Sequence, residues 1–125
     1  MQINEVSGQV VDAAMKVHSV LGPGLLEGVY EACLAFELES RGHHVQVQLP
    51  MPVTYMGLRL DVGYRIDLLV DNMVIVELKS VSKIAPIHEA QLMTYLKLSG
   101  HKVGLLINFG VVHLRDGIKR IVNKL

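Results

Sequence analysis

The stretch 64–80, YRIDLLVDNMVIVELKS, constrains this chain more than any other, because two apolar runs, 66–70 and 73–76, meet at Asp71 and Asn72. Asp and Asn tolerate positive φ and favour turns, so the stretch reads as two antiparallel strands joined tightly. Asp67, Glu77 and Lys79 are out of place on such strands, since a charge on a half-buried face costs desolvation. Charges in that position pair with each other or hold a metal.

Side chains two apart on a strand share a face, so Glu77 and Lys79 form one unit while Val76 and Leu78 point the other way. The face taken by Asp67 depends on the loop. A two-residue turn at Asp71 and Asn72 pairs Val70 with Met73 and Asp67 with Val76, which puts the two acids on opposite faces. A loop of Asp71, Asn72 and Met73, or a bulge, pairs Asp67 with Glu77 instead. We expect the odd loop or bulge. Two carboxylates brought so close repel each other and raise a pKa unless a cation lies between them. Magnesium, which takes few carboxylates and keeps several waters, suits that pair. It would activate water and stabilise charge on a phosphoryl oxygen, with Lys79 adding positive charge nearby. The plainer alternative is a structural ion pair of Lys79 with Glu77 or Asp67.

Around this hairpin the chain reads as a mixed sheet flanked by helices, an α+β or α/β sandwich. Apolar residues at Val6, Val10, Ala13, Ala14, Val17, Val20 and Leu21 predict a helix over 5–21, stopped by Gly22, Pro23 and Gly24. A second helix is expected over 25–41, with Leu26, Val29, Tyr30, Cys33, Leu34 and Leu38 inward and Gly42 as terminator. Segment 43–55 reads as an edge strand or two short pieces interrupted by Pro50 and Pro52, and 57–60 as a short strand. After the hairpin, Pro86 prepares a helix over 88–99. The apolar run up to Asn108 reads as a buried strand, and the tail as a last hairpin of 111–114 and 118–122 around Arg115, Asp116 and Gly117.

At 125 residues the chain is expected to be a single domain, 1–125. Twelve basic and twelve acidic side chains cancel, so no global basic field draws nucleic acid, and any anionic substrate must be held locally. One cysteine, Cys33, no membrane-length apolar run and no signal-peptide pattern at the start lead to the expectation of a soluble, cytoplasmic protein with no membrane partner. The six histidines show no paired ligand spacing, which tells against zinc and leaves most of them as surface or supporting groups. His18 and His88 could approach the site or a phosphate. Arg65, two residues before Asp67, would share its face and could contact a phosphate. Glycoside hydrolysis is disfavoured by Lys79 beside Glu77 and by the absence of tryptophan. The G-P-G turn lacks the lysine and hydroxyl residue of a phosphate-cradling loop.

The spacing D67-x9-E77-x-K79 resembles the signature of the PD-(D/E)XK nuclease superfamily, and GLLEGVY at 24–30 resembles the G-x-x-E-x-x-Y pattern of a small family within it. The likeness runs through the two hairpin strands, EAQLMTYLKLSG and GLLINFG. It implies a restriction-endonuclease-like fold, with Asp67 and Glu77 as metal ligands and Lys79 as the catalytic lysine. By the same resemblance Glu27 completes the metal site directly or through water, and Glu31, one turn on, could share its face. Gln91 and Tyr95, one helical turn apart, resemble the Q-x-x-x-Y motif of an exonuclease branch, where both side chains help hold substrate or lysine. The expected function is magnesium- or manganese-dependent hydrolysis of nucleic-acid phosphodiesters, DNA foremost. A homodimer would double the binding surface of so small a domain. The alternative is a noncatalytic module that keeps the fold and binds nucleic acid or a partner.

Overall fold

Helix α1, Ile3–Leu21, buries Val6, Val10, Ala13, Ala14 and Val17 along the stripe that their spacing marks out. It closes where Gly22 takes φ 71 and gives its N–H to the His18 carbonyl. Helix α2, Glu27–Ser40, packs on it through Tyr30, Leu34, Ala35 and Leu38. The computed structural model describes all residues 1–125. Strand β1, Val45–Pro50, follows, and then a separate two-stranded ribbon, β2 (Val53–Tyr55) and β3 (Leu58–Leu60). Strands β4, Arg65–Val70, and β5, Val74–Lys79, are the two arms of the central hairpin. Helix α3, Pro86–Ser99, then leads to β6, Val103–Asn108, and the chain ends in β7, Ile118–Val122.

The main sheet has the order β1-β4-β5-β6-β7, antiparallel throughout except for the parallel pair β5 and β6. A parallel pair needs a crossover, and α3 supplies it. Covered on both faces, β6 is buried along its whole length, which is why VGLLIN shows no alternation. On one face Leu68, Val70, Val76, Leu78, Leu105 and Ile107 pack with α1 and α2. On the other Leu69, Ile75 and Leu106 pack with Leu92, Tyr95 and Leu96 of α3. Gly104 admits α3 to this close packing: a Cβ there would lie 2.9 Å from Leu92 Cδ1. The result is the mixed, restriction-endonuclease-like α+β architecture expected.

Segment 43–55 does divide into two short strands, and the helices begin within two residues of their expected starts. The tail differs. Residues 111–114 are not a strand; a 3-10 turn, Leu114–Gly117, drops the buried Leu114 against the core, and β7 pairs directly with β6. Gly117 lies so close to the Asn108 carbonyl that a Cβ would stand 2.5 Å from it, so β6 itself is the first arm of the last hairpin. No helix is long and apolar enough to cross a membrane.

Candidate active site

The geometry of the site begins at the loop of the central hairpin. Val70 pairs with Val74, so the connection is the three-residue loop Asp71, Asn72 and Met73, with positive φ at Asp71 (52°) and Asn72 (55°). The Asp71 carboxylate fixes it, accepting hydrogen bonds from His43 Nδ1 at 2.6 Å and from the His44 N–H at 2.8 Å. From that closure the pairs run Leu69 to Ile75 and Leu68 to Val76, and the next step sets Asp67 opposite Glu77. There the backbone ladder opens. The Asp67 N–H reaches Glu77 Oε1 at 3.4 Å, and the Leu78 N–H donates to Asp67 Oδ2 at 2.9 Å. Side-chain carboxylates replace backbone carbonyls at this point, and the two acids bond across the strand pair.

The neighbouring strand bends at the same level. Leu68 packs beneath α1 and α2, whereas Ile66, two residues earlier, packs beneath α3. Between them, facing Asp67 across the pair β1 and β4, Gln48 takes φ 52. Its Nε2 donates to Asp67 Oδ1 at 3.1 Å and to Glu31 Oε2 at 2.7 Å. Glu31 is therefore half-buried and tied to the acid cluster, rather than a plain exposed helix acid. Gln48 was missed from the sequence, where it is one polar residue among alternating ones.

Helix α2 delivers Glu27 as its first residue, and two anchors set where that helix starts. The Tyr30 hydroxyl donates to the Gly22 carbonyl at 2.5 Å and accepts from the Leu25 N–H at 3.1 Å, while its ring stacks on Phe109 with centroids 4.5 Å apart. Ser80 Oγ, just past β5, donates to the Leu25 carbonyl at 2.6 Å. The tyrosine of the G-x-x-E-x-x-Y stretch thus shapes the loop, and the glutamate is what the loop presents. Burial raises the Glu27 carboxyl above the usual range, the Asp67 charge raises it further, and Lys79 opposes both. Glu31 is raised too, first by burial.

Glu77 is pushed up to about 8, by burial first and by the Asp67 charge second, with Lys79 offsetting only part. Lys79 stands at the end of β5, half-buried, and joins no ion pair; the pairs in the chain are Lys16 with Glu37, Arg41 with Asp12 and Glu37, His43 with Asp71, Arg59 with Asp61, and Lys119 with Glu89. The expected alternative of a structural lysine-carboxylate pair is absent. The position of Lys79 is fixed by its backbone, since its carbonyl accepts from the Phe109 N–H at 2.8 Å while buried Asn108 bonds both the N–H and the carbonyl of Val81.

On the α3 side Gln91 Nε2 donates to the Tyr95 hydroxyl at 3.1 Å. Tyr95 is buried, its ring edge against Tyr64 with centroids 6.2 Å apart, and its phenol is raised by burial and then by the charge of Glu77. Arg65 is exposed, and its guanidinium reaches only the Gln48 carbonyl, at 3.5 Å. Three histidines take part in the fold's own bonds. His88 Nδ1 accepts from the Ala85 N–H and so caps α3. His18 and His43 are buried, the first donating from Nε2 to the Val111 carbonyl at 2.9 Å.

No three His, Cys, Asp or Glu side chains converge into a cage that would hold a metal by itself. A magnesium-type ion needs no such cage, because it takes one or two carboxylates and fills its remaining positions with water and substrate oxygens. Asp67 and Glu77 offer hard oxygen donors at one point, with repulsion that a cation would relieve. The donor set fits.

Among family models, that of the PD-(D/E)XK nuclease superfamily matches residues 4–121. No curated protein and no solved structure gives a significant match. With acid, acid and lysine at one opened ladder and the family match spanning nearly every element, the chain belongs to the PD-(D/E)XK nuclease superfamily.

Proposed function

We propose that this chain is a metal-dependent nuclease that hydrolyses nucleic-acid phosphodiester bonds, with DNA as its foremost substrate. The observation that carries the reading is the pairing of Asp67 with Glu77 where the ladder opens, beside a lysine that has no carboxylate partner. In this reading Asp67 and Glu77 hold a magnesium or manganese ion, and Glu27 completes the site directly or through water. Such an ion, when bound, lowers the pKa of water and neutralises charge on a phosphoryl oxygen. Lys79 orients the attacking water and stabilises the charge that builds on the phosphate. Gln91, braced by Tyr95, holds Lys79 or a substrate oxygen. Arg65 contacts a flanking phosphate.

The G-x-x-E-x-x-Y stretch supports assignment to the branch of the superfamily that carries it, because both Glu27 and Tyr30 have a use in the site. The same reading takes residues 1–125 as one nuclease domain acting in the cytoplasm. A homodimer belongs to it as well. The ribbon of β2 and β3 carries Tyr55, Met56 and Leu58 in the open, at 70%, 89% and 58% exposure, an apolar surface that a second copy would cover.

The test is cleavage of end-labelled single-stranded, duplex and branched DNA, with RNA in parallel, in magnesium or manganese. The wild-type chain should cut, while Lys79→Ala and Glu77→Ala should lose at least about a hundredfold in rate. Metal-independent cutting, or cutting that survives both substitutions, contradicts the reading. Binding without cutting by the wild-type chain favours the noncatalytic module.

A further inference from the structure

Four acids, Glu27, Glu31, Asp67 and Glu77, surround the proposed reaction centre, and the chain as a whole carries no net charge. A polyanionic strand needs a positive foothold elsewhere. A cleft of about 380 Å³ between the end of α1 and the loop after β6 suits that purpose. His18, His113 and Arg115 line it with Ser19, Gly22 and Pro23, and no carboxylate does.

The cleft opens at the same end of the sheet as the acids. Strands β5 and β6 are parallel, with Lys79 level with Asn108, so the segment from Phe109 onward leaves the sheet where Lys79 stands. Phe109 is bonded through its N–H to the Lys79 carbonyl, and His18 holds the Val111 carbonyl, which fixes the far wall. The near wall is the Gly22 and Pro23 turn, locked by the Tyr30 hydroxyl, and that turn runs on into Glu27. Four residue steps lead from Pro23 to Glu27, a span of at most about 14 Å, which roughly four nucleotides of a duplex strand cover. Arg115 is exposed and joins no ion pair, and its neighbour Asp116 does not line the cleft.

We infer that this cleft is a second subsite, where Arg115 and His113 hold a backbone phosphate of the nucleic-acid strand a few nucleotides from the bond that is cut. The inference rests on the nuclease reading and extends it. Arg115 supplies a fork of N–H donors suited to phosphate oxygens, and Ser19 adds a hydroxyl. Contacts of this kind position a strand without reading its sequence.

The experiment measures oligonucleotide binding by fluorescence anisotropy over a range of salt concentrations, in magnesium, on a Lys79→Ala background that prevents hydrolysis. Arg115→Ala and the double change with His113→Ala should weaken binding roughly three- to tenfold, equally for unrelated sequences, and lower the salt slope by about 1. Arg115→Lys should restore most of the slope. Lys102→Ala, which removes the same charge at the opposite end of the sheet, should change neither. Both lysine and arginine sites are exposed, so folding is preserved and is checked by thermal melting. Variants at Arg115 and His113 that bind like Lys102→Ala overturn the subsite while leaving the nuclease reading intact. A background chain that binds no oligonucleotide overturns both.

Discussion

Glu77 is the residue at which the fold and the proposed chemistry conflict most directly. Its carboxyl is buried beside Asp67 and raised to about 8, so without a cation it holds a proton at neutral pH. Because the folded state binds that proton more tightly than the unfolded chain, the stabilisation is complete below the ordinary carboxyl value of 4.5 and is lost as pH rises through about 8. The metal-free chain should therefore lose roughly 3–5 kcal/mol between pH 5 and pH 9 from this residue. Glu77→Gln, which cannot ionise, should remove most of that dependence and be the more stable chain at pH 9. Urea denaturation in chelator at both pH values checks this, and parallel pH profiles for the two proteins would contradict it. A residue that weakens the empty fold at alkaline pH is one whose value lies in what it binds.

Among the elements, the hairpin loop has the most consequence for its size. Three residues rather than two bring Asp67 and Glu77 together, and the Asp71 carboxylate holds that loop against His43 and the His44 backbone. Burial opposes the charge on Asp71, but these hydrogen bonds outweigh it and hold its pKa below 3.8. Its contribution is thus present above that value and fades as pH falls through the folded pKa. Asp71→Ala should cost about 2 kcal/mol at pH 7, measured by denaturation, and markedly less at pH 2 to 3. Equal losses at both pH values would mean that the side chain acts by shape alone.

How far the sequence could be read also belongs to the elements. An odd loop or a bulge was legible because either puts the two acids on one face, and the structure has the loop; the helices were legible from their apolar stripes, although Val20, Leu26 and Val29, expected inward, are exposed. Gln48 was not, since its partners Asp67 and Glu31 lie 19 and 17 residues away and only the bend of β1 and β4 brings the three together. The same holds for the His43 and Asp71 pair, 28 residues apart. The turn expected at Arg115, Asp116 and Gly117 is there as a 3-10 turn, but 111–114 was misread as a strand because VVHL is mostly apolar, whereas the buried Leu114 and the tight place of Gly117 depend on β6. Arg65, assigned a phosphate contact from its spacing, makes only one long bond to Gln48, so that role stays with the proposal.

At the scale of the whole molecule, the chain presents acids at one end of a mixed sheet, an unpaired arginine in a cleft at that end, and a separate two-stranded ribbon with exposed apolar side chains. If the ribbon is the contact between copies, replacing Tyr55, Met56 and Leu58 together by serine should convert a dimer to a monomer in sedimentation while leaving the far-UV circular dichroism unchanged. A wild-type chain that sediments as a monomer at tens of micromolar rules that contact out.

The central claim, that Asp67 and Glu77 are brought together to hold a cation, is tested most directly by titration calorimetry with manganese. The wild-type chain should bind one ion, more tightly at pH 8 than at pH 6 because the metal displaces the proton on Glu77, and Glu77→Ala should bind none in the same range. Equal binding by the two proteins, or none by the wild type at millimolar metal, would contradict it.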